Sequence, residues 1–474
     1  MASPDISFYT IPSSIRKPGK YFEFNTRLAV NTLPANLQNM LIIGQRLAAG
    51  SVPALTPTQV FSGAQAADFF GAGSLAHLMC LAAITANPYL QLTVCALDDA
   101  AGAQASETLT LAANASSSGV LTLWVGNQSV QIAVNIGDTP ATVATELAAA
   151  LGQISSLPVT AVAAAGVVTL TAKNKGTVAN QIGIVSTITA GGMTATLANP
   201  TLTGGTIDPD PSTAMAKVFA QQYDVICIPY NDQASLTALR TYLDNVSGPL
   251  EQRPGVGVYG YTGALAGATT LAGEINGGRM LEAYLRGTKS PGYEVAAAFA
   301  SVMAFEEDPA MPLNTLALTG IAAPTVDQRL SRTEQENCLY NGVTPLEVGP
   351  GEVVQIVRAI TTYTLNPAGV ADISLLDVTT IRTLDYVRKA CRERVELRFP
   401  RAKLSTKTPP RVHDELYDVL LKLEELEIVE NVEANKDGLL VERDLQDPNR
   451  LDAKIPCDVV NGLHVFAGRI DLIL

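Results

Sequence analysis

From Gln104 to Thr206 only five residues carry a charge, Glu107, Asp138, Glu146, Lys173 and Lys175, and the remainder is mostly Ala, Thr, Ser, Val and Gly. On either side of this stretch, from about Pro34 to Asp99 and from about Pro211 to Pro324, apolar runs of strand length alternate with helical patterns. NMLIIGQ, YLQLTVCAL, YDVICIPY, GVGVYGY and NTLALTG read as strands, with Asp232 to Val246 and Tyr293 to Phe305 as helices between them. Such alternation predicts a parallel sheet covered by helices. The simplest topology is therefore an α/β domain in two halves, residues 34–103 and 207–324, split by an inserted, peripheral β-rich domain at 104–206. Within the insertion GVLTLWVG, SVQIAVNI and GVVTLTAK are expected as antiparallel strands. DTPATVATELAAALGQI is expected as a helix capped by Asp138 with Pro140 in its first turn.

Beyond residue 324 the charge becomes concentrated, and residues 325–453 are expected to form a C-terminal α+β domain. From Arg382 to Arg411 there are ten Lys or Arg against three acids; from Asp414 to Glu433 there are eight acids and one Lys. Ile381, Leu384, Val387, Cys391 and Val395 keep helical spacing and are expected to face the core. A basic helix thus precedes an acidic one. Either the two solvated faces neutralise each other, or the basic residues Arg388, Arg392, Arg394 and Arg398 dock against an acidic surface of another molecule. The last residues, VVNGLHVFAGRIDLIL, place Phe466, Ile470, Leu472 and Leu474 at even positions around Arg469 and Asp471. Period two is the pattern of a strand with one buried face. That strand either joins its own domain's sheet or is donated to another chain.

A length of 474 residues implies two to four domains, and a net charge of −13 argues against wrapping nucleic acid. No run approaches the ~20 uninterrupted apolar residues of a membrane helix. The start, MASPDISFYTIPSSIRKPGK, lacks the apolar core of a signal peptide, so the chain is expected to be made and kept in a cytoplasm. Six cysteines without CxxC spacing read as buried free thiols. Only His77, His413 and His464 could serve as an imidazole base. His77 sits in the apolar SLAHLMCLAAI and is expected to be a satisfied core histidine; the other two have no evident nucleophile beside them. GVGVYG matches GxGxxG by letter, yet its glycines alternate with Val256 and Val258 and so lie inside a strand, not at a strand-to-helix turn. No GxSxG, GxxxxGK[ST], HExxH or calcium loop is present, and DPDP at Asp208 to Pro211 reads as a turn. No catalytic, cofactor-binding or metal-binding residue is assigned, and no enzyme is expected.

A large chain without an active site, with an insertion and strand-like tails, has the outline of an assembly subunit. It resembles the tail sheath proteins of contractile-tailed bacteriophages, in their Mu-like branch. The resemblance is carried by NMLIIGQRLAAGSVPALTPTQVFSGAQAADFFGAGSLAHLMCLAAITANPYLQLTVCAL, by GEVVQIVRAITTYTLNPAGVADISLLDVTTIRTLDYVRKACRERV and by the closing VVNGLHVFAGRIDLIL. The insertion contributes little to it. The resemblance implies a subunit that polymerises with itself as rings or a helix around a tail tube, meets baseplate and tail-terminator proteins, and contracts when triggered. It implies neither membrane insertion nor direct contact with nucleic acid, and a place in the virion after assembly in the host cytoplasm. It also implies linkage by terminal arms: residues 1–33, with Tyr21, Phe22 and Phe24 in PGKYFEFNT, and residues 454–474, with Val465, Phe466, Ile470, Leu472 and Leu474. The subtilisin-like label on part of this family's α/β region concerns fold alone. The sheath of a phage-tail-like bacteriocin fits the same residues. A serine hydrolase on the α/β region and a Thr/Ala-rich adhesin are the readings from other classes; three histidines and the missing signal peptide weigh against them.

Overall fold

The computed structural model describes residues 17–22 and 33–473. They divide into two compact units, of which the larger takes residues 36–386, 427–430 and 457–473. Its backbone is an eight-stranded sheet in the order Val354–Ile356, Thr344–Val348, Met280–Tyr284, Val256–Tyr261, Val225–Cys227, Asn39–Gln45, Gln91–Leu97, Thr58–Val60. The six inner strands run parallel and the two edge strands antiparallel. Parallel strands covered on both faces need apolar residues throughout, which is why Met40–Ile43 and Val225–Cys227 are unbroken apolar runs and fully buried. The expected α/β class is what forms.

Helices Leu75–Ala86 and Gly292–Phe305 pack on each other, and the second also lies along Val256–Tyr261. The approach is close: a Cβ on Gly260 would stand 1.9 Å from the Gly292 carbonyl oxygen. Gly260, and Gly257 against Leu239 and Leu243 of helix Gln233–Ser247, thus serve helix–strand contact inside the strand. NTLALTG does not become a strand. Thr315 takes a left-handed φ of 63° and breaks the run, leaving a single bridge between Ala317 and Gln355. Met280–Tyr284, in contrast, is a central strand without a purely apolar sequence, because it carries Glu282.

Glu282 is fully buried, and its Oε2 accepts the Tyr259 hydroxyl at 2.7 Å. Burial pushes this carboxyl up to about 8 from an ordinary 4.5, so the folded protein holds it protonated where the unfolded chain would not. With the folded value raised, stability is fullest below 4.5 and is lost as pH rises towards 8. Glu282→Gln is expected to remove this loss, on the order of a few kcal/mol. Calorimetric transition temperatures from pH 5 to pH 9 would show a flatter profile in the variant; parallel profiles would refute it.

The insertion has two antiparallel sheets, Thr194–Leu197, Gln104–Ala112, Val167–Lys175, Val159–Ala164 and Gln128–Val134, Gly119–Val125, Ile184–Ile188, with helix Pro140–Gly152 beside them. Leu109, Leu121, Leu123, Leu147 and Leu170 belong to a core of its own. Its helix is capped by Thr139 and not by Asp138, whose carboxylate accepts the Asn135 amide at 2.6 Å and closes the preceding turn.

The smaller unit contains the described residues up to 35, Val387–Leu426 and Asn431–Pro456. Helix Val378–Arg398 is divided between the units at Tyr386 and Val387. Helix Thr408–Glu425 buries Val412, Leu416, Val419, Leu420 and Leu423 on one stripe. Leu440–Arg443 and Leu451–Lys454 form an isolated antiparallel pair.

Candidate assembly site

Open parallel sheets bind ligands in the crevice outside their carboxyl ends, where strand order reverses. Here that place lies beside Asn39–Gln45, between Gln91–Leu97 and Val225–Cys227, and the insertion's strand Val167–Lys175 ends in it. Asp99, just past Gln91–Leu97, accepts Gln45 Nε2 at 2.7 Å and Asn174 Nδ2 at 2.9 Å on one oxygen and the Lys175 amide at 3.0 Å on the other. Asn174 also donates to the Arg46 carbonyl at 3.0 Å and accepts the Leu75 amide at 3.0 Å. Lys173 Nζ reaches the Ala72 carbonyl at 3.1 Å. Protein therefore plugs the crevice. Nearby, buried His77 accepts the Gly73 amide on Nδ1 at 3.0 Å, a satisfied core histidine; burial first and Lys173 second hold its pKa below the ordinary value. Among the described residues no group of three or more His, Cys, Asp or Glu could hold a metal ion, and no helix is long and apolar enough to cross a membrane.

The carboxyl-terminal stretch is of another kind. Val465, Phe466, Ile470 and Leu472 are 78, 87, 99 and 84% exposed, and residues 465–473 belong to no strand or bridge among the described residues. Large apolar side chains exposed together are uncommon on a protein surface and mark candidate interaction sites. The chain upstream is tied down: Val459 bridges Val429, and the Glu430 amide donates to the Asp458 carbonyl at 2.9 Å. The unpaired part thus starts at Val465, because Lys454 still pairs with Leu440 and His464 is held by Asn314. At the other terminus Tyr21 donates to the Lys17 carbonyl at 3.0 Å and Phe22 is 87% exposed. Phe24 and Leu474, with most of residues 1–33, lie outside the described residues.

The basic helix is folded inward. Arg394 is buried, and its Nη1 donates to Glu415 at 3.1 Å and Asp418 at 2.6 Å on helix Thr408–Glu425. Arg398 stands 3.4 Å from Glu415, Arg392 3.7 Å from Glu396 one turn on, and Arg388 is half-buried. Leu384, expected in the core, is exposed, while Tyr386, Ala390 and Arg394 occupy the buried face beside Val387 and Cys391. Apolar spacing alone could not place an arginine there. The charges left exposed, Arg401, Lys403 and Lys407, follow the helix.

Comparison with known proteins agrees with an assembly subunit. Residues 204–362 match the phage tail sheath protein central domain and residues 370–473 the phage tail sheath C-terminal domain. The Mu-like prophage FluMu tail sheath protein of Haemophilus influenzae is 33% identical, over 99% of this chain and 100% of that protein. Among solved structures, the sheath tail protein Lin1278 of Listeria innocua is 15% identical with a TM-score of 0.51, covering 92% of this chain and 94% of the other. A chain of the anti-feeding prophage baseplate is 10% identical with a TM-score of 0.50, covering 97% and 100%. The two structures speak to fold; the sequence identity over the whole length speaks to kinship, and the chain belongs to the phage tail sheath proteins.

Proposed function

We propose that this sheath protein polymerises around a tail tube, is held extended between baseplate and tail terminator, and contracts to drive the tube through the host envelope. It does so as a structural part of the virion assembled in the host cytoplasm, without catalysis. The observation that carries this reading is the exposed apolar arm from Val465, which joins no sheet among the described residues. The pair Leu440–Arg443 and Leu451–Lys454 has two open edges among the described residues, and an edge is what an extended arm from another subunit can join. Tyr21, Phe22 and Phe24 are proposed to act in the same way from the other terminus. Purified protein concentrated with the tube protein is expected to give striated tubes or rings under negative stain. Particles that stay monomeric under those conditions would overturn the reading. DNA-filled heads on the particles of a producing strain would mark a phage tail, and headless tails a bacteriocin-like particle.

Charge adds to the docking. Arg394 and Arg398 are engaged by Glu415 and Asp418 within the chain and Arg392 faces Glu396, so the main part in docking is proposed for Arg401, Lys403 and Lys407, which are exposed beyond the helix, with Arg388 and Arg392 at its flank. Each exposed ion pair contributes only ~0 to 1 kcal/mol, but a tail repeats it at every subunit. Assembly is expected to weaken between low and high salt, and Arg401→Glu with Lys403→Glu to weaken it at low salt. Assembly indifferent to both changes would show these charges to be merely solvated.

A further inference from the structure

At the base of the arm one seated residue interrupts an exposed stretch: Leu463 before it is 80% exposed, and from Val465 every described residue is exposed. The His464 side chain is 14% exposed, whereas Val465 is 78% and Phe466 87% exposed. The ring stands in a polar seat formed by residues remote in sequence. Its Nδ1 lies 3.0 Å from Asn314 Nδ2 and its Nε2 3.5 Å from an oxygen of Asp377. Asp377 is itself fixed, since Arg358 donates Nε at 2.8 Å to one carboxylate oxygen and Nη2 at 2.7 Å to the other. With the Asn314 amide donating, Nδ1 is the acceptor, and the ring proton sits on Nε2 facing Asp377; this tautomer follows from the network. A neutral ring agrees with its surroundings, because burial first and the Arg358 cation second hold its pKa below the ordinary value, against Asp377. The backbone is shaped to the same seat. The His464 amide donates to the Gly462 carbonyl at 3.0 Å, and a Cβ on Gly462 would stand 2.5 Å from the Pro312 ring. Only a glycine lets this turn lie against Pro312.

We propose that Asn314 and Asp377, the latter braced by Arg358, seat the His464 ring and so fix the root of the carboxyl-terminal arm, making the His464–Val465 junction its pivot. His464 is thereby a positioning residue for the arm. Without the seat the next fixed points are the Val429–Val459 bridge and the bond from the Val460 amide to the Ile428 carbonyl. The pivot would then retreat by about four residues. A tether grown from about ten residues to about fourteen lowers the effective concentration of the arm at its target roughly twofold per junction. The consequence for assembly rests on the arm-donation reading; the position of the pivot in the free subunit does not.

The test is amide hydrogen exchange, resolved by residue, on the full-length subunit kept dilute enough to remain unassembled. In the wild type, fast exchange is expected to begin at Val465, with the His464 amide protected. In His464→Ala, and independently in Asn314→Ala, the fast region is expected to extend back to Asn461 with an unchanged transition temperature. His464→Asn, whose side-chain oxygen can take the place of Nδ1 beside Asn314, is expected to restore protection, which a general loosening of the chain would not do. A boundary that stays at Val465 in both alanine variants overturns the seat, whatever assembly does. A boundary that retreats in the alanine variants and returns in His464→Asn establishes it; undiminished sheath formation by the His464→Ala subunit would then count against strand donation and leave the seat standing.

Discussion

Removal of Gly468 to Leu474 is expected to abolish polymerisation and to leave the thermal unfolding of the free subunit unchanged. Its described residues, 468–473, are all exposed, with Ile470 99% and Leu472 84% exposed, so their loss opens no core. In a lattice the balance differs. A donated strand from Val465 makes about five ladder hydrogen bonds, each contributing ~1 kcal/mol net. Burial of Phe466, Ile470 and Leu472 adds ~1.5 to 3 kcal/mol apiece. Ordering some ten residues opposes this by roughly 1 kcal/mol or more each. One arm alone is therefore weak, and several arms engaged together in a preformed ring are strong. Calorimetry on the dilute truncated subunit and negative stain on the concentrated one decide the matter. A transition temperature several degrees below wild type would place the strand in its own domain's fold.

Asn174→Ala is expected to destabilise the larger unit strongly. This side chain carries three bonds across the crevice, to the Leu75 amide, the Arg46 carbonyl and Asp99. Alanine leaves a buried donor and a buried acceptor without partners, each costing ~1 to 3 kcal/mol, and loosens Asp99 beside fully buried Gln45. A loss of about 3 to 5 kcal/mol should appear in denaturant midpoints. Replacing the whole insertion by a Gly/Ser linker would lose the same bonds and Val178, which packs in the main core. That variant is expected to melt lower yet still to build sheath polymers below its transition, because the insertion's own core is separate. A wild-type midpoint for Asn174→Ala would make the plug superficial.

The parts of this fold that are legible in the sequence are those whose burial is complete and local. Asn39–Gln45, Gln91–Leu97 and Val256–Tyr261 announce themselves as apolar runs, and Gln233–Ser247 by its helical pattern. Met280–Tyr284 stays hidden because Glu282 looks solvated until Tyr259 is seen across the sheet. Leu384 and Arg394 exchange their expected places for a similar reason. The carboxylates that make a buried arginine tolerable are on another helix, and helical spacing says nothing of them. The alternation of Val465 to Leu474 is visible at once, whereas the absence of a sheet to receive it, and the His464 seat built from Asn314 and Asp377, exist only in three dimensions. Kinship was readable from the order and extent of three long segments, since no cluster of reactive residues advertises a chemistry.

The isolated pair Leu440–Arg443 and Leu451–Lys454 bears on how a cell stores such a subunit. Each strand has four residues, and Glu442, Arg443 and Lys454 are exposed along them. So short and charged an edge is a poor trap for stray strands. On the arm-donation reading, newly made subunits would then accumulate side by side, each offering a greasy tail and an open edge, without gelling. If arms join these edges as proposed, growth waits for a ring that presents several of them in register, and the timing of the sheath is then set by its template and not by its supply.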